Sequence, residues 1–134
     1  MSEQISVHDN IILSYTVESE QKRIRLSTVY YRDPAPDEHT DVLFEDVLVY
    51  HFEGDNLRTI IYDIEETTAE LIYDGNTELF EGLKNYGWPA LEYKSREDFL
   101  ARLQTEEYKA FSITPSYGLS GFVLAKQMRF IPVT

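Results

Sequence analysis

The sequence predicts an α+β fold: a mainly antiparallel sheet of about six strands, with two or three helices inserted between strands 4 and 5. Segments in which apolar and polar residues alternate occur in the first half of the chain and again near its end, and helix-like segments lie together between them. Strands and helices that are segregated along a chain favour an α+β arrangement over βαβ units. At 134 residues the chain is expected to form a single domain, 1–134, with residues 1–10 as a candidate flexible N-terminus.

The first two strands are predicted on either side of a polar turn at Ser19–Gln21. Residues 11–17 alternate in polarity, which is typical of an amphipathic strand, and residues 22–31 predict its partner. The apolar face of the first strand consists of Ile11, Leu13, Tyr15 and Val17, and the inward residues of the second are Ile24, Leu26 and Tyr30. Arg23 and Arg25 fall on the opposite face, where we expect them to pair with Glu45 or Glu53 across strands.

The stretch Asp41–Glu66 predicts two long strands joined by a tight turn at Gly54-Asp55-Asn56, because glycine and asparagine tolerate the positive φ angles of a short hairpin loop. The apolar row of this hairpin is formed by even-numbered residues: Val42, Phe44, Leu48, Tyr50, Phe52, Ile60, Tyr62 and Ile64. In the register that this turn sets, Tyr50 faces Ile60, and the two apolar rows share one face. Asp46 interrupts the row, which indicates a β-bulge or a functional acid, and a bulge is the commoner cause.

Helix signals follow this hairpin. A capping box at Thr67–Glu70 predicts the start of a first helix, which Gly75 interrupts. A second helix is predicted over Thr77–Tyr86 and ends at Gly87, and Ser95 opens a third. The last two strands are predicted over residues 108–114 and 121–131. The hairpin row is expected to form one core with Ile24, Leu26, Leu83 and Phe99.

The charge of the chain is concentrated in its middle. The formal net charge is −12, and residues 33–83 contain fifteen acids against one base, Arg58, whereas the flanking segments are close to neutral. A field of this sign repels nucleic acid and anionic lipid and attracts basic proteins, so we expect no nucleic-acid or membrane partner. The same charge also keeps a small protein soluble, and that interpretation is equally open.

A partner-binding face is predicted on the outer side of the central hairpin. Its candidate residues are Glu45, Val47, Val49, His51, Glu53, Ile61, Asp63 and Glu65. An apolar centre with a charged rim is typical of protein interfaces, and the acidic rim favours a basic protein partner. Two alternatives stay open for this face: it is a homodimer interface, or the protein's own helices cover it.

No catalytic or metal-binding motif is found in the sequence. The three histidines are isolated, and the acids around His39 favour a solvated loop over a metal site. Asp46, His51 and Asp63 are candidates for acid or base roles. The segment Ser116–Gly121 is rich in glycine and hydroxyl groups, which favours a hairpin turn over an anion-binding loop. We expect no cofactor and no metal.

Five segments carry a family resemblance: LSTVYYR, DVLFEDVLVYHFEGDN, IIYDIEE, YGWP and SYGLSGFVLAKQM. Over about residues 11–128 they resemble a group of small uncharacterised bacterial proteins, and the size, acidity and α+β pattern resemble immunity proteins of bacterial toxin systems. The resemblance includes no catalytic motif, so it implies a binding protein and transfers no site residues.

The first functional hypothesis is therefore a non-enzymatic protein that binds a basic protein partner. The alternatives are a small-ligand-binding or enzymatic domain with a pocket between sheet and helices, and a dimerising structural module. The chain has no cysteine, no signal-peptide pattern and no long apolar run, so a cytoplasmic location is expected.

Overall fold

The computed structural model describes residues 5–133, and within them it contains six strands and three α-helices. The strands are β1 (Ile11–Glu18), β2 (Arg23–Tyr30), β3 (Glu38–Glu53), β4 (Thr59–Thr67), β5 (Lys109–Tyr117) and β6 (Ser120–Val133). The helices are α1 (Ala69–Gly75), α2 (Thr77–Leu83) and α3 (Arg96–Thr105), with a 3-10 turn at Lys84–Tyr86. The strands pair antiparallel and the helices lie between β4 and β5, so the predicted fold class is confirmed.

The six strands close into a barrel in the order β1-β2-β3-β6-β5-β4. The predicted central hairpin is wrong, because its two strands are not neighbours: β3 pairs with β2 and β6, and β4 pairs with β5 and β1. The β5–β6 hairpin is inserted between them, so Tyr50 faces Val123 and Ile60 faces Tyr117. An alternating pattern fixes which side of a sheet a residue faces, but it does not fix which strand lies beside it.

The tip of the β5–β6 hairpin is tied to the start of β4. The N–H of Leu119 donates to Oγ1 of the buried Thr59 at 3.1 Å. Gly118 has a φ of +99°, and a Cβ there would lie 2.5 Å from the same oxygen, so a larger residue does not fit. The glycine-rich segment around Gly118 is a turn between two strands, as its composition predicts.

A β-bulge interrupts β3 at Asp46, whose φ of +53° lies in the left-handed region. The pairing with β6 shifts register between Val47 and Val49, which confirms the predicted bulge. Pairing with β2 ends at Phe44, apart from one hydrogen bond of 2.9 Å from the Val47 N–H to the Lys22 carbonyl. Beyond the bulge β3 continues to its end with β6 on one side and no described strand on the other.

The barrel interior holds the first apolar core. Its buried members are Val7, Ile12, Ile24, Leu26, Val42, Phe44, Ile61, Ile64, Phe111, Ile113, Leu119, Val123 and Ala125. The predicted facing is correct for Val42 and Phe44, but Tyr62 is exposed and Ile61 is buried instead. Register shifts on both sides of Ile61 interrupt the alternation in β4, and this is why the prediction fails there.

Four residues predicted to face the core are exposed: Leu13, Tyr15, Val17 and Tyr30. In β1 a register shift between Ile12 and Ser14 interrupts the alternation. Pairing with β4 also stops at Ile12, so the rest of β1 has no described strand on that side. A strand at such an edge leaves its apolar side chains partly in solvent.

A second apolar core lies between the helices and the outer side of β3, β6 and β5. Its buried members are Val49, Ile72, Tyr73, Phe80, Tyr93, Phe99, Leu103, Ala110, Phe122 and Leu124. The rings of Tyr73 and Phe80 stack with centroids 4.9 Å apart, and Phe80 stacks on Phe122 at 5.8 Å. The predicted single core is wrong, because the sheet separates two cores, and Leu83 is exposed rather than buried.

Capping groups fix the ends of the helices. The Thr68 hydroxyl accepts from the Leu71 N–H at 3.2 Å, so α1 begins one residue later than the predicted capping box places it. The Ser95 hydroxyl accepts from the Asp98 N–H at 3.1 Å. The sequence predicts the Ser95 cap correctly and places the first cap one residue early, at Thr67. Both observed side-chain oxygens satisfy N–H groups that have no partner within the helix.

Part of the candidate flexible N-terminus runs along β4. The Asp9 N–H donates to the Ile61 carbonyl at 2.8 Å, and the Ile61 N–H donates to the Asn10 carbonyl at 2.9 Å. Val7 is buried in the barrel core, and residues 1–4 lie outside the described residues. None of the helices within residues 5–133 combines the length and the apolar composition needed to cross a membrane.

Candidate functional site

A cleft opens where β3 leaves β2. It lies between the end of the β1–β2 hairpin and the part of β3 that follows the bulge, and its volume is about 360 Å³. The lining residues are Val17, Glu18, Ser19, Lys22, Arg23, Ile24, Val47, Leu48, Val49, Tyr50 and Trp88. A concave site with a mainly apolar lining and a few polar groups is typical of small-molecule sites.

The cleft exists because two neighbouring strands differ in length. β2 begins at Arg23, after a turn, whereas β3 runs past the bulge to Glu53. Beyond Val47, the backbone groups of β3 that point away from β6 make no backbone hydrogen bond within residues 5–133. Free N–H and C=O groups at a strand edge are available to another molecule. The cleft therefore offers apolar side chains and backbone hydrogen-bonding groups together.

Trp88 joins the cleft to the helical core. Its ring centroid lies 5.0 Å from that of Phe80 and 6.3 Å from that of Phe122, and the residue also lines the cleft. Packing against two buried rings holds the indole in place. Because Trp88 is the single tryptophan of the chain, its fluorescence reports on this region alone.

Arg23 is the most constrained charged group of the cleft. Its Nη2 donates to Oε2 of Glu18 at 2.5 Å. Its Nε is shielded from solvent and has no hydrogen-bond partner among the described residues. A buried donor without an acceptor costs about 1–3 kcal/mol. A shift of the guanidinium towards an acceptor in the cleft would remove this cost.

The ion pairs around the cleft differ from the predicted ones. Those observed on this side of the barrel are Arg23–Glu18, Arg25–Asp41 and Arg129–Glu45, with N–O distances of 2.5, 2.7 and 2.7 Å. The predicted pairing of Arg23 and Arg25 with Glu45 or Glu53 is therefore wrong. The reason is the strand order: β6 lies beside β3, and its Arg129 already forms an ion pair with Glu45.

The eight residues predicted to form a partner-binding face do not form one surface. Val47 packs against the barrel core, Ile61 is fully buried within it, and Val49 is buried beneath the helices. The remaining five are Glu45, His51, Glu53, Asp63 and Glu65, and they lie on the outer side of β3 and β4. Because β6 and β5 separate those strands, the two groups are roughly 14 Å apart at about 4.8 Å per strand. Their role in binding a partner stays a prediction.

An acidic groove lies between the end of β3 and the link from α1 to α2. It has a volume of about 520 Å³ and is lined by His51, Glu53, Asp74, Gly75, Asn76, Thr77, Glu78 and Leu79. Two hydrogen bonds of 2.8 and 2.9 Å from Arg96 hold Asp74, and this bonding lowers the pKa of Asp74. Glu53 and Glu78 are exposed and give the groove its negative charge.

The candidates for acid or base chemistry lie apart from one another. Asp46 occupies the bulge of β3, His51 lies on the outer side of β3 next to Glu53, and Asp63 belongs to β4. His39 is an exposed residue near the start of β3. Within the part of the chain that the structure describes, no group of three or more His, Cys, Asp or Glu side chains is placed to hold a metal ion.

The sequence signals for the cleft are weak. Val47 and Val49 belong to a predicted surface, but no pattern indicates that Trp88 or Arg23 lines a cavity. The one available signal is the bulge at Asp46, because a long strand that bends away from a shorter neighbour leaves an open edge. Comparison with models of known protein families, with curated proteins and with solved structures gives no match.

Proposed function

We propose that the protein binds a small amphipathic molecule in the cleft between the β1–β2 hairpin, β3 and Trp88. The observation that carries this proposal is the combination, in one concave site, of an apolar lining with the guanidinium of Arg23, whose shielded Nε–H has no acceptor within residues 5–133. It corresponds to the alternative that the sequence leaves open, a ligand pocket between sheet and helices. Such sites bind through apolar contact and orient the ligand through a few polar groups.

The size and charge of the cleft support a particular class of ligand. A volume of about 360 Å³ is at the small end of the roughly 300–1,000 Å³ that ligand sites have, so a small molecule matches the cleft. Lys22 and Arg23 are the bases of the lining and Glu18 is its acid, so the cleft is locally positive in an acidic protein. A carboxylate or a similar acceptor at one end of an apolar molecule matches both features.

Trp88 fluorescence tests this proposal. Decanoate is titrated against the protein with excitation selective for tryptophan, and decanol is the neutral comparison. We expect a saturable change with decanoate and a weaker one with decanol, because the charged carboxylate accepts a stronger hydrogen bond from the Arg23 guanidinium than a neutral hydroxyl does. No saturable change with either molecule, or equal affinity for both, would contradict the proposal.

Two arginine variants locate the charged contact. Arg23→Gln removes the charged donor and should lower the affinity for decanoate about tenfold or more. This loss corresponds to the roughly 1.5–3 kcal/mol of a hydrogen bond to a charged group. Arg25→Gln is the matched control, because Arg25 pairs with Asp41 and does not line the cleft. Equal loss of affinity in both variants would indicate a general charge effect and not a site at Arg23.

The acidic groove favours a second candidate function, the binding of a basic protein partner. The fifteen acids of residues 33–83 and the exposed pair Glu53 and Glu78 support it, as does the resemblance to immunity proteins of toxin systems. A negatively charged groove steers a basic partner, and added salt weakens that steering.

A synthetic peptide of alternating lysine and valine serves as the probe for the acidic groove. The variant Glu53→Lys, Glu78→Lys should weaken its binding several-fold, at about 0.2–1 kcal/mol for each exposed charge pair. The control Glu106→Lys, Glu107→Lys makes the same change in net charge at exposed residues after α3. If both double variants lower the affinity for the peptide equally, the groove is not the binding site.

A further inference from the structure

We propose that two copies of this chain associate through the outer surface at the junction of β1 and β4. This surface, the seam patch, consists of the paired residues Ile11, Ile60 and Tyr117, together with two exposed leucines that lie close to them in sequence: Leu13, and Leu57 beside Asn56, whose side-chain amide is hydrogen-bonded to Tyr117. β1 and β4 are joined by two residue pairs, and one of them is Ile11 with Ile60. Tyr117 is the partner of Ile60 on β5, so three apolar residues form one row across three strands.

This row faces away from the barrel core. Ile12 and Ile61, which follow Ile11 and Ile60 in sequence, are buried within that core. No register shift separates Ile11 from Ile12, so Ile11 points to the opposite side of the sheet from the buried Ile12, and its cross-strand partner Ile60 shares that outer side. The helices pack elsewhere, on β3, β6 and β5, through a core that includes Phe122. Within residues 5–133, the helices therefore do not cover the seam patch.

The seam patch exposes large apolar side chains. Leu57 is fully exposed, and Leu13 and Tyr117 are 50% and 53% exposed. Tyr117 is fixed at the patch by a hydrogen bond of 3.2 Å from Asn56 Nδ2 to its hydroxyl. Single exposed apolar residues are normal on a protein surface, but a contiguous group of them marks an interaction site.

Charge identifies the second copy as the occupant. Arg58, next to Leu57, is the single base of residues 33–83, and it takes part in no ion pair within the described residues. Two acids belong to neighbouring segments: Asp55 precedes Arg58 in the same loop and accepts from the Tyr15 hydroxyl at 2.7 Å, and the Asp9 N–H donates to the Ile61 carbonyl of β4. A twofold interface places the same patch on both copies, so the arginine of each copy and the acids of the other belong to one interface, where they are available to pair.

Sedimentation velocity between about 1 and 100 μM tests the association, because this range spans the dissociation constants of modest interfaces. We expect the unmodified protein to populate a dimer and Leu57→Glu to raise the dissociation constant at least about tenfold. Arg58→Glu should act in the same direction, with a loss that added salt reduces. Leu57 is fully exposed, so the substitution leaves the fold intact, which circular dichroism checks.

Leu71→Glu is the matched control, because Leu71 is 66% exposed on α1, away from the seam. It adds the same charge to the same kind of residue and should leave the dimer unchanged. A monomer over the whole concentration range would overturn the proposal. Equal effects of Leu57→Glu and Leu71→Glu would also overturn it, because general repulsion would then explain the loss.

Discussion

Replacing Glu53 and Ser120 by cysteine tests the strand order of the barrel. The two residues are cross-strand partners at the end of the β3–β6 pair, and the chain has no cysteine of its own. Partners in an antiparallel pair have Cα atoms about 4.5–5.5 Å apart, within the roughly 4.4–6.8 Å that a disulfide spans. We expect the Glu53→Cys, Ser120→Cys protein to form an intramolecular disulfide on mild oxidation.

The expected stabilisation follows from the length of chain that the disulfide closes. The loop between the two positions is about 70 residues long, and the chain-entropy relation for such a loop gives about 4 kcal/mol at 25 °C. With a urea m-value of about 1–3 kcal/mol/M, the unfolding midpoint should rise by roughly 1–4 M. Reduction of the disulfide should return the midpoint to that of the reduced variant.

The control for this disulfide is Glu45→Cys, Glu65→Cys. The hairpin register predicted from the sequence makes these two residues partners, whereas the structure separates their strands by β6 and β5. Thiol titration after oxidation measures crosslinking, and Trp88 fluorescence in urea measures stability. The strand order is wrong if the control pair crosslinks within one molecule and the Glu53/Ser120 pair does not.

Three further predictions concern the cores and a helix cap. Phe44→Ala should lower the free energy of unfolding in urea by about 3–5 kcal/mol, because Phe44 is fully buried against Phe111. The control Tyr86→Ala, at an exposed residue, should change it by no more than about 0.5 kcal/mol. A loss below about 1 kcal/mol for Phe44→Ala would contradict the inward orientation of Phe44. Burial raises the pKa of Tyr73 above the ordinary ~10, so Tyr73 contributes stability that is present below pH ~10 and is lost as pH rises through the raised pKa. Tyr73→Phe should therefore flatten the decline in unfolding free energy above pH ~10. An unchanged decline would contradict this. Ser95→Ala should cost about 0.5–2 kcal/mol by removing the cap of α3, and no change would mean that the Asp98 N–H finds another acceptor.

Local chemistry made the fold class predictable. Alternation of polarity located the strands, and capping side chains such as Ser95 located the helix starts, because both signals act over a few neighbouring residues. Strand order depends on contacts between residues far apart in sequence. The turn at Gly54 suggested a hairpin, yet β3 pairs with β6 and β4 with β5 because the later hairpin enters between them. No local pattern carries that information.

The candidate site was harder to predict than the fold because it depends on interruptions of regular structure. The bulge at Asp46 is visible as a break in an apolar row, but its consequence is an open edge next to the end of β2, and this depends on the relative lengths of two strands. Arg23 looked like a cross-strand partner of acids on β3. It lines a cleft instead, because its neighbour on β1, Glu18, takes its ion pair.

Two Gly→Ala substitutions, which each add one methyl group, are expected to have opposite effects on stability. Gly82 lies in α2 with no heavy atom within 4 Å of an added Cβ, so Gly82→Ala should stabilise the protein by about 0.4–1 kcal/mol. Gly121 lies opposite Phe52 in the β3–β6 pair, and an added Cβ would overlap the carbonyl oxygen of His51.

Gly121→Ala must separate β3 from β6, because a backbone carbonyl, unlike the end of a flexible side chain, cannot move alone. We expect a loss of about 1–3 kcal/mol or more, as for other overpacked sites. Since the cleft wall is the same strand, β3, the variant should also weaken decanoate binding, whereas Gly82→Ala should leave it unchanged. Urea unfolding and the Trp88 titration measure both quantities on the same samples. Equal stability of the two variants would show that β6 does not approach β3 this closely. A destabilised Gly121→Ala protein with unaltered decanoate binding would place the ligand away from β3.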